Sequence, residues 1–359
     1  MNNKEVDLFF CLCNYIDTDK ESLRKLAAEN STPEVLGQLF FNRMHGIAYE
    51  TLKNTGILPS VNREFRNSLS NAYQINVEKN RSFFCCIHML DDILKEHRDK
   101  YAMLKGAYLC AAYPDGCRTS NDIDLLVNPK NITVIGEILN KYGFKQGHIA
   151  NDEFVPASRR EIIESRIMRG ETIPYILEVE LPYMRYLEVD INFSLDYKNS
   201  DHETIDRMLS RIRHISIKDN MINTLDVSDF IIHLCCHLYK EATTHPWVKM
   251  RRDMTLYKYY DIYIILKDIT HDEFCAFLKR AEELQLYDVC ICVLKWVSEL
   301  FGFDFISKND IQITDNIEVL VNQVIDPAGK KIYTYSETDI RKRFFANNRD
   351  KLLEEVAYE

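Results

Sequence analysis

The first hundred residues place apolar side chains at the spacing of an amphipathic helix. The pattern is clearest between residues 61 and 98, where apolar positions recur every three or four residues. It also follows the helix start signal Ser31-Thr32-Pro33-Glu34, in which proline suits the first turn. Residues 1–100 are therefore predicted to form an N-terminal helical domain.

From residue 101 the pattern changes to short apolar or alternating segments separated by turn-forming residues. The predicted elements are a strand at 101–104, a helix at 108–113, a strand at 122–127, a helix at 132–142 and two strands at 173–184 and 185–195. Helical periodicity returns in the last third of the chain. The predicted helices are 226–241, 256–266, 274–284 and 289–301, with a charged peripheral helix over 334–359.

This order of elements predicts an α+β protein in which a small mixed-sheet core lies between two helical regions. The expected domains are 1–100, 101–215 and 216–359. Glycine (11) and proline (9) are scarce in a chain of 359 residues, which argues against a turn-dense all-β sandwich.

Charge and cysteine content limit which cellular compartment and which classes of binding partner are predicted. The net charge is −10, from 45 basic and 55 acidic residues, which excludes a basic coat for duplex DNA and weighs against a nucleic-acid partner. The eleven cysteines contain no Cys-x-x-Cys, which predicts reduced thiols in a cytoplasmic protein. No signal peptide and no apolar run of membrane-spanning length is expected, so no membrane partner is predicted.

Two carboxylates alternate along the predicted strand at 122–127. Asp122 and Asp124 point to one face because residues two apart share a face of a strand, while Ile123 and Leu125 point to the other. Closely spaced carboxylates repel each other unless a cation lies between them. Hard oxygen ligands in this arrangement suit Mg²⁺, which in turn contacts substrate phosphates.

A third carboxylate lies in the alternating segment 187–193, where Asp190 faces away from its apolar neighbours. If the two strands are neighbours, Asp190 joins Asp122 and Asp124 around two metal ions that clamp the oxygens of an in-line phosphoryl transfer. Asp190 would also be placed to take the proton of an acceptor hydroxyl.

Three residues upstream of the carboxylate pair are candidates for binding a triphosphate. Lys105 and Gly106 end one predicted strand and open a short helix, where glycine permits a phosphate to approach the backbone. Arg118 lies in the loop before Asp122 and carries a planar fork of donors suited to phosphate.

The ordered set resembles the uncharacterised nucleotidyltransferase family of the DNA polymerase beta-like superfamily. That superfamily has Gly-Ser or Gly-Gly, then Asp-x-Asp/Glu, then a later Asp. The residues that carry the resemblance are Leu104-Lys105-Gly106-Ala107, Tyr113-Pro114 and Arg118 through Val127. The resemblance implies a nucleotidyltransferase core that uses two Mg²⁺ ions, with Asp122 and Asp124 as metal ligands, Asp190 as ligand or base, and Gly106 as the glycine next to phosphate.

The chain also departs from the superfamily pattern. Ala107 stands where Ser or Gly is usual, and fourteen residues separate it from Asp122. Glu178 and Glu180 on the adjacent predicted strand are alternatives to Asp190 as third carboxylate.

The functional hypothesis is transfer of a nucleoside monophosphate from an NTP, such as ATP, to a hydroxyl or similar group on a small molecule, peptide or protein. The alternative is a non-catalytic nucleotide-binding or protein-interaction module, antitoxin-like or regulatory, that retains the fold.

Overall fold

The structure is a computed structural model and describes residues 1–168, 170–195, 202–217, 220–328 and 330–356. By its contacts the chain divides into two compact units, Met1–Asp226 and Val227–Glu359. The first unit contains the predicted N-terminal helices together with the sheet. The division into domains 1–100, 101–215 and 216–359 stays a prediction.

The N-terminal helices of the first unit confirm the periodicity of the sequence. They are α1 (Asn3–Leu12), α2 (Lys20–Asn30), α3 (Pro33–Phe41), α4 (His45–Asn54) and α5 (Arg63–Leu94). The last of these has 32 residues and begins where the Asn62 side chain accepts a hydrogen bond from the Phe65 amide at 2.8 Å. Its apolar stripe, Phe83, Ile87 and Leu90, is fully buried in the core that covers the sheet.

The sheet of this unit has eight strands among the described residues. They are β1 (Tyr101–Met103), β2 (Asp122–Val127), β3 (Lys145–Ala150), β4 (Glu153–Pro156), β5 (Tyr175–Leu181), β6 (Met184–Asn192), β7 (Arg213–Ile217) and β8 (Asn220–Thr224). Their spatial order is β4-β3-β5-β6-β2-β1-β8-β7, with β2 parallel to β6 and antiparallel to β1. The remaining helices are α6 (Gly106–Ala112), α7 (Ile132–Lys141), α8 (Arg159–Met168) and α9 (His202–Leu209).

The α+β class and the four predicted strands are confirmed, but the sheet is larger than the sequence indicated. The hairpins β3–β4 and β7–β8 were not predicted, and the expectation that residues 216–359 are helical is wrong for β8. This strand carries polar residues that bond inside the sheet. Asn223 donates to the Tyr101 carbonyl at 2.6 Å, and Thr224 donates to the Met103 carbonyl at 2.7 Å. The hydrophobic pattern does not predict this strand, because its polar side chains are buried with hydrogen bonds to the neighbouring backbone.

The second unit is mostly helical. Its helices are α10 (Val227–Thr243), α11 (His245–Lys249), α12 (Leu256–Asp268), α13 (His271–Glu283), α14 (Tyr287–Phe301), α15 (Phe305–Lys308), α16 (Asp315–Asn322) and α17 (Ile340–Phe345). A small antiparallel sheet has the order β11-β10-β9 and comprises β9 (Gln323–Asp326), β10 (Lys331–Tyr335) and β11 (Leu353–Glu355). The four helices predicted between 226 and 301 are confirmed.

The prediction of one peripheral helix over 334–359 is wrong. Thr334 and Tyr335 belong to β10, α17 spans only six residues, and β11 returns to pair with β10. Residues 357–359 lie outside the described residues. The pairing of Thr334 with Glu354 joins two segments twenty residues apart, which no local periodicity encodes.

Among the described residues, no helix combines the length and the apolar character that crossing a membrane requires. All eleven cysteines lie among the described residues, and none of them forms a disulfide.

Candidate active site

Four carboxylates lie on one face of the paired strands β2 and β6. The parallel register places Asp124 beside Asp190 and Asp122 beside Glu188. Neighbouring strands are about 4.8 Å apart, and residues two apart share a face, so the four side chains lie on the same face of the strand pair. The opposite face is part of the core and carries fully buried apolar residues, Ile123, Leu125, Val189 and Ile191.

Asp124 is the most enclosed member of the predicted pair, with 8% of its surface exposed. Its Oδ1 atom accepts from Lys105 Nζ at 3.2 Å and from Asn192 Nδ2 at 3.1 Å. Lys105 immediately precedes α6 and has a positive φ of 39°, a backbone conformation that costs a non-glycine residue about 1–3 kcal/mol. The strained turn therefore brings a cation onto the carboxylate of the neighbouring strand.

Asp122 is held by the loop that precedes it. Ser120 Oγ donates to Asp122 Oδ1 at 2.8 Å, and the same serine packs against the backbone of Gly106. A Cβ atom at position 106 would come within 2.5 Å of Ser120 Oγ and 2.6 Å of Ser120 Cβ. Gly106 thus allows the start of α6 and the loop before β2 to touch.

The Gly106→Ala substitution tests this contact. The added methyl group must displace Ser120, so we expect Asp122 to lose its hydrogen bond and the protein to lose about 1–3 kcal/mol of stability, as in other overpacked sites. Thermal denaturation of Gly106→Ala, compared with Gly106→Ala/Ser120→Gly, measures the effect. Removing the serine side chain should recover most of the lost stability. A double variant that melts at the same temperature as Gly106→Ala would contradict the proposed clash.

The negative charges on this face are incompletely balanced. Burial, followed by the charges of Asp124, Asp122 and Glu171, raises the pKa of Asp190 well above its ordinary value, while Lys105 opposes that rise. Burial and the nearby Asp122 charge also raise the pKa of Glu188. Such excess negative charge is the electrostatic condition in which a bound divalent cation is most stabilising.

The donor set fits magnesium in its chemistry, since carboxylate oxygens are the ligands that Mg²⁺ prefers. As the side chains are placed, however, no three His, Cys, Asp or Glu residues of the described ranges converge closely enough to surround an ion. Lys105 and Asn192 both bond one oxygen of Asp124, so binding of an ion there requires these side chains to adjust.

Arg118 lies in the loop between α6 and β2, as predicted, and its side chain is partly exposed. Its Nη1 atom donates to the Thr119 carbonyl at 2.5 Å. Asn80 of α5 donates to the Arg118 carbonyl at 3.0 Å. The loop that carries Arg118 is therefore anchored by the long helix of the N-terminal region.

The two alternative third carboxylates lie farther from Asp124 along the sheet than Asp190 does. Glu178 pairs with Tyr186, four residues before Asp190, which corresponds to about 13 Å along the strand. Its carboxylate accepts from Arg185 Nε at 2.9 Å in an exposed ion pair. Glu180 is at the irregular end of the β5–β6 hairpin, with a positive φ of 48°. Asp190 is the carboxylate that the sheet register brings to Asp124.

Sequence reasoning missed several residues near the pair. Glu188 and Asn192 share the face of Asp190 by strict alternation, so the pattern of β6 already contained the signal that could have found them. Ser120 is next to the motif but carried no signal of its own. Lys79 on α5, whose charge acts on Asp122, lies more than forty residues upstream and could not have been found from spacing.

Two of three comparisons with known proteins give a match for this chain. A family model described as an uncharacterised nucleotidyltransferase matches residues 29–302. Comparison with curated proteins gives no match. Among solved structures, the chain is similar to an antigenic nucleotidyltransferase-like protein from Paracoccidioides brasiliensis. The similarity has 11% identity and a TM-score of 0.32, and it covers 59% of this chain and 92% of that one.

Proposed function

Because the chain belongs to the uncharacterised nucleotidyltransferase family, we propose that it transfers a nucleoside monophosphate from a nucleoside triphosphate to a hydroxyl or similar group. In this reaction the acceptor oxygen attacks the α-phosphorus, a new P–O bond forms, and pyrophosphate leaves. The observation that carries the proposal is the register of β2 and β6, which sets Asp124 beside Asp190 on a face that also holds Asp122.

The carboxylates have distinct roles in this proposal. Asp122 and Asp124 would hold two magnesium ions, with Asp190 as a further ligand or as the base that accepts the proton of the acceptor hydroxyl. Bound there, the ions would supply Lewis-acid stabilisation of charge on the attacking and leaving oxygens. Ser120 orients Asp122, and Asn192 orients Asp124, through the hydrogen bonds described above.

The donor phosphates are assigned to the residues upstream of the carboxylates. The Lys105 ammonium is the cation that bonds Asp124 directly, so a phosphate near that carboxylate lies within its reach. Gly106 would offer its backbone N–H at the start of α6, since Ser120 fills its Cβ position, and Arg118 would offer a guanidinium on the adjoining loop. In this proposal Lys105 and Arg118 would supply the positive charge for the phosphates in an acidic protein.

The acceptor that we favour is a small molecule, a peptide or a protein side chain in the cytoplasm. The net charge of −10 weighs against a long nucleic acid, since such partners require many phosphate contacts by lysine or arginine. Which nucleotide serves as donor is left to the assay below.

The proposal is tested by incubating the protein with Mg²⁺, each of the four α-labelled NTPs and a fractionated cell extract, then searching for labelled product. We expect metal-dependent label from one or more NTPs with the wild type, and at least about a hundredfold less with Asp122→Asn/Asp124→Asn. Label that the double variant forms equally well would refute the assignment. Nucleotide binding with no product from any NTP would favour the non-catalytic binding module instead.

A further inference from the structure

The second unit contains a buried arginine, Arg343 of α17, whose guanidinium lacks a counter-ion. Only 2% of its surface is exposed, and its Nε and Nη2 atoms have no hydrogen-bond partner among the described residues. Across the same residues no ion pair joins it to a carboxylate. The Tyr335 ring lies 4.7 Å from Arg343 Cζ. A ring face attracts the charge of a guanidinium but leaves these two N–H groups unbonded.

The neighbouring buried charges do not neutralise Arg343. Arg349 donates to both carboxylate oxygens of Asp253, so these two residues neutralise each other. Arg349 Nη1 also donates to the carbonyl of Phe344, the residue next to Arg343, at 3.2 Å. Tyr259 donates from its hydroxyl to the Asp253 carbonyl at 3.4 Å, and burial raises its pKa, so it is uncharged. The two arginines and the aspartate therefore leave one positive charge in excess.

More distant carboxylates compensate this charge only in part. Burial, the largest cause, lowers the pKa of Arg343, and the charges of Glu299 and Glu337 oppose that change without reversing it. A buried charge without a partner is strongly destabilising, because it has lost its hydration and gained no ion pair in return.

A small cavity adjoins the guanidinium. Arg343 lines it together with Tyr259, Tyr335, Trp296 and an apolar wall that includes Met254. About 10 Å³ is open to the centre of a water-sized sphere, which is room for one such sphere. A cavity of this size holds a water molecule or one monatomic anion, and it excludes phosphate, sulfate and carboxylates.

We propose that this cavity binds a chloride ion, which serves as the counter-ion of Arg343 and stabilises the second unit. A water molecule would accept hydrogen bonds from the unbonded N–H groups but would leave the charge uncompensated, whereas chloride accepts the same bonds and balances the charge. Chloride is slightly larger than water, and the flexible Met254 side chain in the wall accommodates the difference.

The experiment is thermal denaturation of the full chain while sodium chloride replaces sodium gluconate at constant ionic strength. Both tryptophans of the chain, Trp247 and Trp296, belong to the second unit, so tryptophan fluorescence reports the unfolding of that unit. The test variant is Arg343→Met, which removes the guanidinium. The matched control is Lys331→Met, which removes a cation whose side chain is 47% exposed and which pairs with Glu355.

We expect the wild type and Lys331→Met to melt about 3 °C or more higher in about 0.2 M chloride, with an effect that saturates, because an ion that binds only the folded state stabilises it. Arg343→Met should melt at the same temperature in both salts. A wild type that is insensitive to chloride, or an Arg343→Met protein that is equally sensitive, overturns the proposal.

A second measurement does not depend on any variant folding. Bromide replaces chloride in such sites and is located by its anomalous scattering, so wild-type crystals grown in sodium bromide should show a bromide peak beside the Arg343 guanidinium. A cavity that holds only water, or nothing, in those crystals overturns the proposal.

Discussion

Replacing Asp190 by asparagine is expected to reduce nucleotidyl transfer severely while raising the melting temperature of the protein. The loss of a metal ligand or general base predicts a fall in rate of about 10²–10⁴-fold. The gain in stability follows from the acidic face, where Asp190 is beside Asp124 and near Asp122. Burial and these like charges penalise the ionised form, and asparagine keeps the size of the side chain without its charge.

The sign of the pH dependence follows from the direction of the shift. The pKa of Asp190 in the folded protein is raised above its unfolded value, so ionisation costs stability. The wild type should therefore lose stability as the pH rises from the unfolded pKa of this carboxyl towards its raised pKa in the folded protein. Asp190→Asn should lose less stability over the same pH range. At neutral pH we expect a gain on the order of 1 kcal/mol, or about 2–4 °C for a unit of this size.

Thermal denaturation between pH 5 and 8 without divalent cations, paired with the labelling assay, measures both effects. Glu178→Gln is the matched control, because its carboxylate lies in the exposed pair with Arg185 and should matter to neither result. An Asp190→Asn protein that keeps wild-type activity removes this residue from the mechanism. Lost activity together with a lowered melting temperature would instead indicate a structural role.

Removing Arg349 is expected to cause the largest loss of stability in the second unit. Arg349 Nε donates to Asp253 Oδ2 at 2.8 Å, and Arg349 Nη2 donates to Asp253 Oδ1 at 2.7 Å. The two residues are 2% and 0% exposed, so this bidentate pair is fully buried and ties the C-terminal segment to the loop before α12. Removing one partner of such a pair leaves a buried charge without its counter-ion and lowers the free energy of unfolding by about 3–5 kcal/mol.

The Arg349→Met variant should therefore melt about 10–20 °C lower in a unit of this size. Burial raises the pKa of Asp253, and Arg349 opposes that rise, so the variant carboxylate should titrate at still higher pH. Protonation then removes the stranded charge, and the penalty should be smaller at pH 5 than at pH 8. Arg349→Met/Asp253→Leu, which removes both charges, should recover a large part of the loss.

The control is Lys331→Met, which removes the cation of an exposed pair with Glu355 in the same unit. An exposed pair contributes about 0–1 kcal/mol, so this variant should melt close to the wild type. Equal effects of Lys331→Met and Arg349→Met, or a penalty at Arg349 that does not depend on pH, would contradict the buried-charge explanation.

Much of the fold could be predicted because its signals are local. The apolar period of α5 and of the helices between 226 and 301 is set by residues within a few turns of each other. The alternation of Asp122 and Asp124 with buried apolar residues likewise defines a strand and its two faces without reference to any partner. These local features were sufficient to predict the α+β class and the candidate carboxylates.

The features that sequence reasoning missed depend on segments distant along the chain. Strand β8 is stabilised by bonds from Asn223 and Thr224 to the backbone of β1, about 120 residues earlier. In the C-terminal tail, β11 pairs with β10. Arg349 of the same tail bonds to Asp253, which lies 96 residues earlier in the sequence. From the sequence alone, a polar residue whose hydrogen bonds are made inside the protein cannot be told from a polar residue on the surface.

The sequence by itself determined which residue types could hold metal and phosphate, since the scarce glycines, the Asp-x-Asp strand and the acidic balance are all local or compositional. Only the tertiary structure decided that Asp190 rather than Glu178 lies beside Asp124, because a strand register is set by packing across the sheet. It also docked one face of α5 on the loop that carries Arg118, through the hydrogen bonds of Asn76 and Asn80. Spacing along the chain contains neither relation, because both arise where distant segments bury a common surface.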